Sequence, residues 1–264
     1  MNIIPKVVAP LTGLSVLVTR PMPQGEMLCA AIRQLGGEAM SFPTIEIQQL
    51  TTCLTATYDL AIFVSVNAVQ FGLPLLAQQP HIKLAAIGRA TAAALKQAQR
   101  PAHIVPEGES NSESLLTHPE LTAGDIRRAV IVRGEGGREL LHETLTMRGI
   151  EVHSCEVYRR AVPQVTADAL AALEQYWSET GIDAVTLTSI ETLQNLLTLL
   201  TDRSRAWLRS TVLIAASDRI AQAARSLGLG GSIVNAGGAD DASMLGALST
   251  LNTRARASLV HGLG

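Results

Sequence analysis

The stretch Ala129–Arg160, AVIVRGEGGRELLHETLTMRGIEVHSCEVYRR, contains a complete strand–helix–strand unit. Its first four residues, AVIV, are all apolar, which is typical of a buried strand in a parallel sheet. A glycine-rich turn, Gly134–Gly137, separates that strand from a helix whose leucines share one face. Gly149 ends the predicted helix, and a second strand then extends to Arg160. This order predicts an α/β fold with a parallel sheet.

The turn before that helix is a candidate anion site. Unpaired backbone N–H groups converge where a strand, a glycine turn and a helix N-terminus meet, and Gly134 opens this turn. Arg133 and Arg138 flank the glycines and are candidates for pairing with an anion. The alternative interpretation is that the glycines only allow a tight turn.

The same unit occurs again near the start of the chain. SVLVTR at Ser15–Arg20 corresponds to AVIVRG, and a helix, a glycine pair and a strand over about residues 39–48 follow it. A second pair of segments places a serine directly after a strand, at Ser65 and at Ser189, and both serines are predicted helix N-caps. A repeat of this length predicts two similar domains, each a doubly wound, flavodoxin-like parallel sheet.

The composition excludes several classes of protein. The chain has 264 residues, 47% of them hydrophobic and 17% charged, which fits a globular protein long enough for two domains. A net charge of -2 supplies no basic surface for nucleic acid, and no apolar run approaches the roughly 20 residues that a membrane helix needs. We therefore expect no nucleic-acid partner and no membrane association.

Cysteine and histidine spacing gives no indication of a metal site. Cys29, Cys53 and Cys155 are far apart in the sequence, which predicts buried, unpaired thiols in a reducing cytoplasm. The six histidines show no ligand spacing, and no nucleotide-binding glycine motif occurs. No metal and no cofactor are predicted.

Small polar residues and arginines follow the predicted strands. Ligands of doubly wound sheets bind beyond the carboxyl ends of the strands, so these residues are the candidate ligand contacts. The set lacks histidine and is poor in acids, which favours holding a small polyanion over abstracting protons. The residues are Arg20, Ser65, Asn67, Gly88, Thr91, Arg133, Ser189, Ser217 and Arg219.

Taken together, these segments resemble the uroporphyrinogen-III synthase family over about residues 14–248. No single segment is diagnostic, but their order and spacing together are specific. The segments are VLVTRP at Val16, FVSVNAV at Phe63, IGRATAAAL at Ile87, RGEGGRELL at Arg133, EVYRR at Glu156, LTSIETLQNLL at Leu187 and SDRIAQAA at Ser217.

The resemblance implies two α/β domains that are not the sequence halves. Residues 1–42 join 163–264 in a discontinuous first domain, and residues 49–154 form the second. Residues 43–48 and 155–162 are expected to be linker strands, and the substrate is expected to lie between the domains.

The resemblance also implies an activity, the cyclisation of hydroxymethylbilane with inversion of its terminal pyrrole ring. It implies that Tyr158 assists departure of the substrate hydroxyl, and that Ser65, Thr91 and Ser189 line the cleft. At Ser217 the segment departs from the glycine–proline and threonine that the family often has, so no threonine role is transferred there.

Two other functions stay open at this point. One is a two-domain binding protein for an anionic small molecule, without chemistry, and the weaker one is a glycosyltransferase-like enzyme. Production of the inverted isomer distinguishes the first interpretation from both. We further expect a cytoplasmic monomer whose partner is a small-molecule substrate.

Overall fold

The computed structural model describes residues 9–229 and 231–261, with only the backbone described over 252–261. The strands, in chain order, are β1 (Ser15–Val18), β2 (Glu38–Ser41), β3 (Glu46–Gln49), β4 (Leu60–Phe63), β5 (Lys83–Ala86), β6 (Arg128–Gly134), β7 (Glu151–Ala161), β8 (Ala184–Leu187), β9 (Val212–Ala215) and β10 (Ile233–Asn235). The helices, in chain order, are α1 (Gln24–Gln34), α2 (Val66–Gly72), α3 (Arg89–Gln97), α4 (Ser112–Leu116), α5 (Leu140–Met147), α6 (Ala167–Glu179), α7 (Ile190–Leu199), α8 (Asp202–Leu208), α9 (Asp218–Ser226) and α10 (Asp241–His261). Short 3-10 helices span Leu73–Leu76 and Pro119–Leu121.

The chain divides into two compact units, Met1–Glu46 with Val162–Gly264, and Ile47–Ala161. The first unit contains a parallel sheet with the strand order β10-β9-β8-β1-β2. Strand β1 leads through α1 to β2 on one side, whereas β8 leads to β9 and β10 on the other. The winding therefore reverses between β1 and β8, and ligands of such sheets bind at the carboxyl ends of these two strands.

The second unit contains a sheet with the strand order β3-β7-β6-β4-β5. Its parallel strands β7, β6, β4 and β5 take the places of β2, β1, β8 and β9, which confirms the predicted duplication. The counterpart of β10 is reduced to one bridge between Ala85 and Ile104, and β3 adds an edge strand beside β7. The switch point of this sheet lies between β6 and β4.

The duplication extends to single hydrogen bonds. Asp59 precedes β4, and its carboxylate accepts from the backbone N–H groups of Arg127 and Arg128, at 2.9 Å each. Asp183 precedes β8 and accepts from the backbone N–H of Ser15 at 2.8 Å. In each unit an aspartate thus ties the start of one central strand to its neighbour. The two backbone hydrogen bonds hold the pKa of Asp59 below its ordinary value of 3.8.

The single strand predicted over about residues 39–48 is wrong. The structure has β2 in the first sheet and β3 in the second, with Pro43 between them. Proline has no N–H to continue a ladder, so the strand breaks there. The expected linker stretches, 43–48 and 155–162, overlap β3 and the end of β7. These two strands are neighbours in the second sheet. The chain passes from one unit to the other at the start of β3 and directly after β7.

Helices cover both faces of each sheet, and the central strands are correspondingly apolar. All four residues of β1, β4 and β8 are buried, as expected for parallel strands packed on two sides. Cys29 and Cys155 are buried, as predicted, but Cys53 is exposed, so the prediction is wrong for that residue. Cys53 lies in an irregular segment before β4, where no regular element packs its side chain into a core.

Over the described ranges, no group of three or more His, Cys, Asp or Glu is arranged to hold a metal ion. No helix within them is long and apolar enough to cross a membrane.

Candidate active site

Ser65 lies at the switch point of the second sheet, just beyond the carboxyl end of β4. Its backbone is extended, and its Oγ accepts from the backbone N–H of Ala68 at 2.9 Å, which confirms the predicted N-cap of α2. The same hydroxyl has a second partner, because its oxygen lies 3.1 Å from the phenol oxygen of Tyr158. Two candidate residues that are distant in sequence are therefore in direct contact.

A β-bulge directs Tyr158 toward this point. Arg133 of β6 pairs with Glu156 of β7, but the next residue, Gly134, pairs with Tyr158, so that Val157 is an extra residue. Side chains of a regular strand alternate between faces. Here both consecutive residues are buried, Val157 at 1% and Tyr158 at 6% exposure. The bulge thus changes the direction of Tyr158 and places it opposite Gly134.

The ring of Tyr158 lies directly against the backbone of Gly134. A Cβ at position 134 would be 2.6 Å from the ring Cζ, 2.7 Å from Cε2 and 3.0 Å from the phenol oxygen, so any larger residue forces the ring to move. Phe71 lies on another side, with ring centroids 6.3 Å apart. Gly134, Phe71 and Ser65 together determine the position of the ring and of its hydroxyl.

Arg133 is neutralised by acids of its own unit. Its Nη2 lies 2.7 Å from the Glu139 carboxylate and 3.2 Å from that of Glu156, with the arginine side chain 8% exposed. Burial acts to lower the pKa of Arg133, but the hydrogen bonds to Glu139 and Glu156 outweigh it, and the pKa is raised. Its buried Nε has no hydrogen-bond partner within the described ranges. This donor is enclosed by the protein and is not exposed to solvent.

Arg138 lies on the surface and is also paired. Its Nη2 is 2.6 Å from Oε1 of Glu113, and the arginine side chain is 68% exposed. The hydrogen bond from Arg138 lowers the pKa of Glu113. An ion pair this exposed contributes little to stability. The fold therefore depends little on the Arg138–Glu113 pair.

Gly88 caps α3, which begins beyond the carboxyl end of β5. A Cβ on Gly88 would lie only 2.2 Å from the Cβ of Ser110, and the backbone N–H of Arg89 donates to Ser110 Oγ at 3.4 Å. Ser110 thus supplies a hydroxyl that the glycine cap lacks. Thr91 is buried in the first turn of α3, and Asn67 is half-buried in the first turn of α2.

The remaining predicted residues lie at the carboxyl edge of the first sheet. Arg20 follows β1 and pairs with Asp241 in the first turn of α10. Ser189 caps α7 as predicted, since its Oγ accepts from the backbone N–H of Thr192 at 3.0 Å and lies 2.9 Å from the Thr192 hydroxyl. Ser217 occupies the N-cap position of α9 but makes no side-chain capping bond.

The predicted residues thus fall into two groups, one in each unit. Three of the predicted arginines form ion pairs with acidic residues that the sequence did not indicate. Those acids are Glu113, Glu139, Glu156 and Asp241. Only Glu139 lies near its partner in sequence, so spacing had no means of indicating the others. Ser110 and Phe71 were missed for the same reason.

Known proteins of one family resemble this chain. A family model described as uroporphyrinogen-III synthase HemD matches residues 26–244. The uroporphyrinogen-III synthase of Escherichia coli (strain K12) is 39% identical over 229 residues, which covers 81% of this chain and 92% of that protein. The uroporphyrinogen-III synthase of Salmonella typhimurium is 38% identical, with the same shares of 81% and 92%. The crystal structure of uroporphyrinogen-III synthetase from Helicobacter pylori 26695 has the same fold, with a TM-score of 0.59, 15% identity, and coverage of 90% of this chain and 99% of that chain.

Proposed function

The chain belongs to the uroporphyrinogen-III synthase family, and we propose that it cyclises hydroxymethylbilane with Tyr158 as the catalytic hydrogen-bond donor. The observation that supports this role is the position of the phenol. Its ring is fixed against Gly134, and its oxygen lies 3.1 Å from Ser65 at the switch point of the second sheet. A neutral O–H donor at a ligand-binding edge suits a reaction whose first step is the departure of a hydroxyl.

Catalysis of the proposed reaction depends more on the orientation of the substrate than on strong acids or bases. The hydroxymethyl oxygen takes up a proton and leaves as water, which gives an azafulvene cation that the substituted carbon of the terminal pyrrole attacks. The resulting spiro intermediate opens and recloses with that ring inverted, and loss of a proton completes the cyclisation. Unassisted cyclisation gives the isomer without inversion, so the protein must hold the chain ends in one orientation. The scheme uses no metal and no cofactor.

The proposal assigns carboxylate binding to arginines, hydroxyls and backbone N–H groups at the strand ends. Glu139 and Glu156 hold Arg133 at the strand end, and the exposed Arg138 can exchange Glu113 for a substrate carboxylate. The other assigned contacts are Arg20, Asn67, Gly88, Thr91, Gly134, Ser189 and Ser217, and Ser65 lines the site beside Tyr158.

The proposal includes a cytoplasmic monomer that acts on a small molecule and binds neither nucleic acid nor membranes. The three unpaired cysteines support a reducing compartment. The duplication places both copies of the ligand-binding fold in one chain, which supports a monomer. Light scattering during size-exclusion chromatography measures the mass directly, and a dimer mass would contradict this part of the proposal.

The test of function is the isomer that the protein forms. Hydroxymethylbilane is supplied to the purified protein, the product is oxidised, and the porphyrin isomers are separated chromatographically. The inverted isomer is expected in excess. Recovery of only the spontaneous isomer would refute the activity and favour a binding protein without chemistry.

The test of the residue is Tyr158→Phe, which removes one hydroxyl and keeps the ring. Loss of a hydrogen bond made in the transition state should lower the initial rate of inverted-isomer formation by about 10- to 150-fold. Thermal melting is the folding control and should stay close to the wild type, because the ring still packs against Gly134 and Phe71. A wild-type rate would show that Tyr158 is a packing residue.

A further inference from the structure

The Ser65 hydroxyl makes contacts that a simple helix cap does not need. Its oxygen accepts the Ala68 backbone N–H at 2.9 Å and also lies 3.1 Å from the Tyr158 phenol oxygen. The equivalent cap in the first unit, Ser189, has the hydroxyl of Thr192 as its neighbour, within its own helix turn. The contact with a tyrosine therefore distinguishes the second unit from its duplicate.

The donors and acceptors of the two hydroxyls limit what this contact can do. A serine hydroxyl has one proton and two lone pairs, and a phenol has one proton and an oxygen that accepts. The Ala68 N–H occupies one lone pair of Ser65. If Tyr158 donates to Ser65, the phenol proton is engaged and is not available to a ligand. If Ser65 donates to Tyr158, the phenol proton stays available.

We propose that Ser65 is a positioning residue that donates its hydroxyl proton to the Tyr158 oxygen, and so leaves the phenol proton directed at the departing hydroxyl of the substrate. This inference rests on the proposed catalytic role of Tyr158. The sequence of contacts is the Ala68 N–H to Ser65, Ser65 to Tyr158, and Tyr158 to the substrate. The backbone N–H that Ser65 accepts holds its oxygen in place.

The surroundings of Tyr158 hold the phenol oxygen in one position beside Ser65. Tyr158 as a residue is 6% exposed, and its ring lies against Gly134 with Phe71 beside it. The carbonyl oxygen of Tyr158 is itself tied to the backbone N–H of Glu135 at 2.8 Å. With ring and backbone held, the direction of the hydroxyl proton is the variable that Ser65 controls.

The test is a double-variant cycle with Ser65→Ala and Tyr158→Phe. Ser65→Ala should lower kcat by about 3- to 10-fold, the size of one neutral hydrogen bond, and change KM by less than about twofold. Ser65→Thr retains a hydroxyl on an extended backbone and should restore kcat. In the double variant the rate should equal that of Tyr158→Phe alone, because no phenol proton is left to direct.

Thr166→Ala is the matched control for a lost cap. Thr166 is exposed in the first unit, and its Oγ accepts from the backbone N–H of Ala169 at 3.2 Å to cap α6. Its loss should lower stability by the same mechanism as Ser65→Ala while leaving kcat at the wild-type value.

Nuclear magnetic resonance can detect the hydrogen bond between Ser65 and Tyr158 in the absence of substrate. The chain has three tyrosines, so protein labelled with carbon-13 at the tyrosine Cζ should give three resonances, and Tyr158→Phe identifies one of them. Ser65→Ala should shift that resonance, and Thr166→Ala should not.

A resonance unmoved by Ser65→Ala, or rate losses that multiply in the double variant, would overturn the role of Ser65. A slow Tyr158→Phe enzyme beside a fully active Ser65→Ala enzyme would overturn this inference alone, whereas a fully active Tyr158→Phe enzyme would remove the catalytic tyrosine as well.

Discussion

Gly134→Ala should slow the enzyme by displacing Tyr158, because the added methyl group overlaps the tyrosine ring. The new Cβ would lie 2.6 Å from the ring Cζ and 2.7 Å from Cε2. Carbon atoms in contact are about 3.5–4.0 Å apart, so the ring must retreat by about 1 Å. That movement is enough to disturb the 3.1 Å contact with Ser65.

The displacement should lower both the stability and the rate of the enzyme. Overfilling a packed site typically costs about 1–3 kcal/mol, which thermal melting detects as a fall of several degrees. A misplacement of about 1 Å at a catalytic group costs roughly 100-fold in rate. The assay is the initial rate of inverted-isomer formation at saturating substrate, measured well below the melting temperature of the variant.

The matched control is Gly137→Ala in the same turn. Its Cβ would be 3.6 Å from the Arg133 Cδ, an ordinary contact, so both the rate and the melting temperature should stay close to the wild type. If Gly134→Ala matches Gly137→Ala in rate and melting, the ring of Tyr158 is not held where the structure places it.

Asp59 and Cys29 have shifted pKa values with measurable consequences. Asp59 has a folded pKa below 3.8, so its contribution to stability is complete above that pH and is lost as pH falls through the folded pKa. Asp59→Asn should therefore melt below the wild type at neutral pH, and the gap should close in acid; a gap independent of pH would contradict this. Burial, with a smaller effect from Glu26, raises the pKa of the Cys29 thiol to about 11, whereas Cys53 is exposed. Iodoacetamide at about pH 8 should thus label Cys53 first, and mass spectrometry showing Cys29 labelled equally fast would contradict the described burial.

The sequence by itself determined the features that depend on neighbouring residues. Buried parallel strands follow from short apolar runs, and the N-caps at Ser65 and Ser189 follow from a serine between a strand and a helix. The duplication was visible because the two copies keep the same order of segments. The role of Tyr158, in contrast, came from family resemblance, since no local pattern marks a tyrosine in a strand as catalytic.

Only the tertiary structure decided how the candidate residues are used. Ser65 and Tyr158 are 93 residues apart in sequence, and their contact depends on a bulge at Val157 that strand periodicity does not predict. The acids that pair with Arg20 and Arg138 also come from distant elements. Caps and strands arise from interactions over a few residues, which a sequence displays directly. Side-chain partners across a sheet depend on register, and a shift of one residue changes every partner that follows it.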